Sequence, residues 1–329
     1  MDTGTSKTLT AEHRLPAMPG FTWELVYIAV IFLSALAVTA VISIASANNK
    51  SPGLVLPLTA LVFWVLTLKL TPFLANKYRD RQRSVLETAE MVMKNDTRPP
   101  VLYLRSFKDD EKIARATAFY SVEQEMKVAL FEIGPFIAMA EPDKPRPVDP
   151  GAARLRLPQD AWQQKVGEAM SRAALVIMRI GETDGFWWEL QEAPKRVKPE
   201  RLVLLVPAEN EQLYEKLRER PGEWLPCELP EYKVTKRPFA VQGGIVYFEP
   251  DWTPHLRKFR TVWFRQTFWD LFSAVLKIEM KPVFEQLGVE WRKPPVQPIQ
   301  ILYVLVLCLL IVLFVYLAYA MLNNILRLL

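Results

Sequence analysis

Residues 174–193 read ALVIMRIGETDGFWWELQEA, and their pattern predicts the class of fold. Its first seven residues form an apolar run interrupted only by Arg179, which is typical of a strand buried on both faces. Gly181 and Gly185 then indicate a turn, and the residues from Phe186 onward predict a helix. A buried strand followed at once by a helix is one unit of an α/β sheet.

Comparable units lie on both sides of this stretch. Upstream, the sequence predicts strands at residues 101–104 and 136–140, and helices at 121–132 and from 160 onward. Downstream, it predicts strands at 202–206 and 244–248 with a helix at 209–218 between them. We therefore expect an α/β domain with a doubly wound parallel sheet. Residues 141–158 contain five prolines and are expected to form one long loop.

Three long apolar runs occupy residues 21–47, 54–75 and 299–322. Each approaches or exceeds the ~20 residues that a helix needs to cross a bilayer, so we predict three transmembrane helices. The second run is followed by four basic residues within 77–83, which is typical of the cytoplasmic side of a membrane. We expect an integral protein of the inner or plasma membrane, in contact with the lipid bilayer, with its main domain in the cytoplasm.

The expected organisation has seven parts. They are a cytoplasmic N-terminal tail (1–20), a transmembrane hairpin (21–75), a juxtamembrane helix (76–97), the α/β domain (98–250), amphipathic juxtamembrane helices (251–297), a third transmembrane helix (298–323) and a short C-terminal tail (324–329). The amphipathic segment shows apolar and aromatic residues at helical spacing from His255 onward. It is expected either to lie on the inner leaflet or to pack against the α/β domain.

Composition and motifs exclude several classes of protein. The 329 residues carry 41 basic and 36 acidic side chains, a net charge of +5, which is too balanced to indicate a nucleic-acid partner. Two cysteines and two histidines, all far apart, leave no disulfide framework, zinc site or histidine-based triad. No GxxxxGK[ST] or GxGxxG motif is present, which argues against ATPases and dinucleotide dehydrogenases. We expect no metal and no resident cofactor.

Candidate site residues follow two of the predicted strands. In doubly wound sheets, ligands bind at the carboxyl ends of strands, near the point where the strand order reverses. We expect Glu189 to face Arg105 and Ser106 across one crevice there, with Arg154 available for an anionic group. The full set is the candidate catalytic residue Glu189 and the candidate substrate-binding residues Arg105, Ser106, Phe107, Asp109, Asp184, Trp188 and Arg154.

Two segments carry a resemblance to known families. VLYLRSF (101–107), followed by KDD, resembles the opening of TIR domains, and residues 174–193 resemble the TIR segment in which a strand precedes a helix with a glutamate. The second segment is also similar to nucleoside 2-deoxyribosyltransferases, through Asp184, Gly185, Glu189 and Ala193. Both families have a flavodoxin-like sheet and use a glutamate on an N-glycosidic bond. The resemblance, over roughly residues 100–210, implies that role for Glu189 and a nucleotide or nucleoside ligand.

Two functions remain open. In the first, the chain is a membrane-anchored TIR-like enzyme that cleaves an N-glycosidic bond of NAD or a nucleoside(tide), as a signalling or defence effector. In the second, it is a catalytically silent TIR-like interaction module that assembles at the membrane. Because TIR-like domains commonly work as assemblies, we expect a homo-oligomer. A simpler interpretation of Glu189 is a helix-start glutamate favoured by the helix dipole, beside tryptophans packed in the core.

Overall fold

The computed structural model describes residues 88–106, 121–140, 151–156, 161–208, 211–219, 222–232, 242–259 and 272–293. The predicted transmembrane segments at 21–47, 54–75 and 299–322, and the basic residues within 77–83, lie outside these ranges. Among the described residues, none of the helices has both the length and the apolar character needed to cross a bilayer.

A seven-stranded sheet forms the centre of a mixed α/β fold. Its strand order is β3-β2-β1-β4-β5-β6-β7, and the strands from β3 to β5 are parallel, whereas β6 and β7 are antiparallel to their neighbours. The strands are β1 (Val101–Leu104), β2 (Phe136–Met139), β3 (Ala153–Leu155), β4 (Leu175–Arg179), β5 (Leu202–Pro207), β6 (Gln242–Phe248) and β7 (Pro254–Lys258).

Helices cover both faces of this sheet, as expected for strands that are apolar throughout. They are α1 (Ala89–Asn95), α2 (Val122–Ala129), α3 (Trp162–Arg172), α4 (Asp184–Arg196), α5 (Glu211–Arg218), α6 (Phe272–Glu279) and α7 (Lys281–Gln286). Helices α2, α6 and α7 share a core with one face of the sheet, and α3, α4 and α5 share a core with the other. Helix α1 packs on the edge strand β3.

The order of the strands reverses between β1 and β4. The chain passes from β1 through α2 to β2 on one side, and later from β3 through α3 to β4 on the other side of β1. The carboxyl ends of β1 and β4 therefore lie side by side, and a Cβ placed on Gly181 would be 3.3 Å from the Cβ of Ser106. Sheets of this kind bind ligands at such a reversal.

The expected α/β class and the doubly wound arrangement are confirmed, and the mostly parallel sheet is consistent with a flavodoxin-like fold. The expectation of a wholly parallel sheet is wrong, because β6 and β7 form an antiparallel hairpin beside β5. The turn of this hairpin is stabilised by Asp251, whose carboxylate accepts a hydrogen bond from the N–H of Thr253 at 2.9 Å.

Two segments differ from their predicted structure. The loop predicted at 141–158 contains β3, whose three residues pair with β2 but are too few to show an alternating pattern. Residues 254–258 form β7 and not the start of an amphipathic helix, so the sheet continues beyond residue 250. For α6 and α7, packing against the α/β domain is confirmed, since Val275, Leu276 and Phe284 are buried in the same core as α2.

Candidate functional site

Glu189 lies on α4, the helix that follows β4 directly. The hydroxyl of Thr183 caps this helix by accepting a hydrogen bond from the N–H of Phe186 at 3.3 Å. Phe186 and Leu190 are buried against the sheet, and they set the rotation of the helix. Glu189, adjacent to Leu190, is consequently half-buried near the carboxyl edge of the sheet.

The carboxyl group of Glu189 is desolvated without a compensating charge. Among the residues that the structure describes, it has neither a hydrogen-bond partner nor an ion-pair partner. Burial raises its pKa from 4.5 to about 8. One turn further along, the carboxylate of Glu192 contacts Lys195 at 2.7 Å and Arg196 at 2.9 Å, and these hydrogen bonds lower its pKa. The two glutamates therefore differ in environment although they share a helix.

Two tryptophan rings border the face of α4 that carries Glu189. Gly185, Trp188 and Glu189 occupy positions i, i+3 and i+4, so they lie on one side of the helix. Trp162 contacts this side, with its ring centroid 4.8 Å from that of Trp188 and its Cη2 4.0 Å from a Cβ placed on Gly185. Trp187 points elsewhere and packs on Trp224. The carboxyl group thus has aromatic surface beside it.

A buried ionic group lies at the same edge of the sheet, on the face covered by α2. Glu123, in the first turn of α2, accepts hydrogen bonds from Arg105 Nε at 2.8 Å, from Arg154 Nη2 at 2.6 Å and from the N–H of Ala152 at 3.2 Å. The side chains of Arg105, Arg154 and Glu123 are 8%, 8% and 6% exposed. Burial alone would raise the pKa of Glu123, but the two arginines outweigh burial and the pKa lies below its ordinary value.

Tyr103 lies beneath this group and is completely buried. Burial raises its pKa to about 12, although the positive charges of Arg179, Arg105 and Arg154 oppose the rise. The register aligns Tyr103 with Ala138 of β2, and Ala138 with Arg154 of β3, so these residues form one row across the sheet. We refer to Tyr103, Arg105, Glu123, Arg154 and Arg179 together as the arginine cluster.

The structure brings together some of the predicted site residues and separates others. Arg105 and Arg154 meet through Glu123, and Ser106 is buried beside Gly181 at the strand-order reversal. The expected pairing of Glu189 with Arg105 across a crevice is not found, because Arg105 binds Glu123 on the α2 face whereas α4 covers the opposite face. Asp184 is exposed as the first residue of α4, and Phe107 and Asp109 lie outside the described residues.

Three residues of the arginine cluster were not predicted as site residues: Tyr103, Glu123 and Arg179. The sequence indicates that Arg179 is a candidate, because a single charged residue within an apolar strand requires a buried partner. In the structure, Arg179 is only 2% exposed. No sequence pattern indicates Glu123, because its partners at positions 105 and 154 are distant in sequence. Only the pairing of strands and helices reveals that they meet.

No protein-family model, curated protein or solved structure matches the chain. Within the described ranges, no group of three or more histidine, cysteine, aspartate or glutamate side chains is arranged to hold a metal ion.

Proposed function

We propose that the chain is a membrane-anchored enzyme that cleaves an N-glycosidic bond of NAD or of a nucleoside or nucleotide, with Glu189 as its catalytic residue. One observation carries this proposal: the carboxyl group of Glu189 is desolvated near the carboxyl edge of the sheet and has no charged partner among the described residues. Such a group costs stability, and strongly shifted pKa values cluster at functional sites.

The environment of Glu189 suits the chemistry of this reaction. The bond between C1′ of the ribose and the nitrogen of the base breaks, its electron pair leaves with the base, and water adds to C1′ and loses a proton. The sugar passes through an oxocarbenium-like state, which a carboxylate stabilises or captures. Removing water from around the carboxylate strengthens its interaction with this positive charge.

A cationic substrate would complete the site. The nicotinamide ring of NAD carries a positive charge at its glycosidic nitrogen, and an adjacent cation lowers the pKa of a carboxyl group. Binding of such a ring would therefore favour the ionised form of Glu189, which burial disfavours. Trp162 and Trp188 offer aromatic faces that attract a planar cation or stack on a base.

The remaining parts of the proposal rest on the sequence and the strand order. A TIR-like relationship is supported by residues 101–107 and 174–193, and by the order β2-β1-β4-β5, which corresponds to 2-1-3-4 of flavodoxin-like sheets when the short β3 is omitted. Membrane anchoring and a cytoplasmic domain rest on the three apolar runs and on the basic residues within 77–83. Self-association and a role in signalling or defence rest on the TIR resemblance.

A catalytically silent interaction module is the second candidate. The observation that favours it is the pairing of Arg105 with Glu123. An arginine whose side chain is engaged in a buried ion pair contributes to the structure of the domain and is less available to a substrate. In this case the desolvated Glu189 would face a partner protein or a second copy of the chain.

Incubation of the purified full-length chain with NAD, nucleotides and nucleosides tests the proposal, with release of free base measured by chromatography. We expect the wild type and the Glu192→Gln control to release base from at least one of these substrates. The Glu189→Gln variant should be slower by roughly 10² to 10³, the usual effect of removing one group that stabilises transition-state charge. Absence of cleavage by the wild type with every substrate would favour the silent module.

A further inference from the structure

We propose that the arginine cluster is a binding site for a phosphate group. Three nitrogen and oxygen atoms carry the argument: Nε and Nη1 of Arg154 and the hydroxyl of Tyr103. All three are buried, and none has a hydrogen-bond partner within the part of the chain that the structure describes. A buried donor without a partner lowers the stability of the folded protein. Binding of a ligand that accepts the hydrogen bonds of these donors is therefore favoured.

The charges of the cluster identify the kind of ligand. The charges of three guanidinium groups, of Arg105, Arg154 and Arg179, and of one carboxylate, of Glu123, act on the hydroxyl of Tyr103. Arg105 and Arg179 make further interactions, so the proposal does not depend on their being available. Charge-assisted hydrogen bonds from a guanidinium group favour an anionic acceptor such as phosphate over a neutral one, and Nε and Nη1 of Arg154 are buried guanidinium donors of this kind.

Glu123 holds Arg154 in place and leaves part of it for a ligand. Only Nη2 of Arg154 binds the carboxylate, and the other two nitrogens keep their donors. The N–H of Ala152 also binds Glu123 because β3 passes very close to α2. Gly151 allows this approach, since a Cβ there would lie 2.4 Å from the Cβ of Glu123. The guanidinium group is thus positioned before any ligand arrives.

The location agrees with a ligand site and is independent of Glu189. The cluster lies at the carboxyl ends of β1 and β4 and on β3, where doubly wound sheets bind ligands. It occupies the α2 face, whereas Glu189 belongs to α4 on the opposite face. A phosphate site can therefore be present whether or not Glu189 is catalytic.

Calorimetric titration of the full-length chain tests the proposal with three probes: inorganic phosphate, adenosine monophosphate and adenosine. We expect at least one of the two phosphate-bearing probes to bind and adenosine to bind at least tenfold more weakly. Binding of inorganic phosphate indicates a site for the free anion, and binding of the nucleotide alone indicates a site for part of a larger ligand. No binding of either phosphate-bearing probe would overturn the proposal, and so would adenosine monophosphate that binds no more tightly than adenosine while inorganic phosphate does not bind.

Variants separate a binding role from a structural one. Tyr103→Phe removes a hydroxyl that has no hydrogen-bond partner among the described residues, so the protein should fold with unchanged or higher thermal stability, whereas its affinity for phosphate should fall about tenfold. Arg154→Lys keeps the charge but loses the fork of donors and should weaken phosphate binding similarly. Tyr247→Phe, on β6, is the control and should leave affinity unchanged. Wild-type affinity in both Tyr103→Phe and Arg154→Lys would contradict the assignment.

Discussion

Replacement of Glu189 by glutamine should stabilise the protein, and increasingly so as the pH rises. The carboxyl group has a pKa of about 8 in the folded protein, against 4.5 when it is surrounded by water. Between these values the folded state keeps a proton that the unfolded state has lost, so the stability of the wild type falls with rising pH. Glutamine does not ionise and escapes this loss.

The size of the effect follows from the difference in pKa. Because of this difference in pKa, the unfolding free energy of the wild type should fall by about 3 kcal/mol between pH 5 and pH 8, relative to that of the variant. At pH values below the pKa of Glu189 in the unfolded protein, the carboxyl group is protonated in both the folded and the unfolded wild type. Its ionisation then no longer contributes to the difference in stability between the wild type and the variant. For a domain of this size, about 3 kcal/mol corresponds to a gap of roughly 6 to 12 °C in Tm at pH 8.

Thermal unfolding of the wild type, Glu189→Gln and Glu192→Gln at pH 5, 6.5 and 8 checks this expectation. Glu192 is the matched control because it lies on the same helix with a lowered pKa. Ionised Glu192 stabilises the fold at pH values above the pKa of this group in the unfolded protein, and this stabilisation is lost as the pH falls. Glu192→Gln should therefore not increase the stability of the protein at pH 8. Parallel pH profiles for the wild type and Glu189→Gln would contradict this prediction, since they would show that the pKa of Glu189 is the same in the folded and the unfolded protein.

Three further predictions concern other parts of the chain. Glu123→Ala should lower the free energy of unfolding by about 3 to 5 kcal/mol at pH 7, because it leaves two buried arginines without their carboxylate. Since the pKa of Glu123 is lowered, this loss should become smaller as the pH falls, which denaturation at pH 4 and pH 7 measures. Thr183→Ala should cost about 1 kcal/mol through loss of the cap of α4, measured by the same method. Labelling from outside the cell should reach a cysteine placed at Asn324 and none placed at Asp143, and the reverse pattern would overturn the predicted topology.

The fold was predictable where the sequence pattern is local. The apolar run that contains β4 and the turn at Gly181 indicated a strand followed by a helix, and both are found. Apolar residues at helical spacing, Val122, Met126, Ala129 and Leu130, indicated the buried side of α2 and of the residue that caps it, and these residues are no more than 3% exposed. Local patterns suffice here because burial on the sheet imposes the periodicity of each element.

What the sequence left open depends on contacts between distant segments. The direction of β6 is set by its pairing with β5, which no local pattern encodes. Arg105 was expected to face Glu189, but residues two apart on a strand point to the same face, so Arg105 points toward α2, as Tyr103 does. Glu123 then occupies the position beside Arg105. Some candidate residues at strand ends could thus be identified from the sequence. The residues that they contact could be identified only from the structure.

The catalytic role of Glu189 is tested by comparing the pH dependence of base release between the full-length wild type and Glu189→Gln. If the ionised carboxylate of Glu189 promotes cleavage, kcat/KM of the wild type should rise with pH through a single ionisation near 8, the pKa of Glu189 in the free protein. The variant should show a flat profile lower by roughly 10² to 10³. Equal rates and equal profiles in the two proteins would contradict a catalytic role for Glu189.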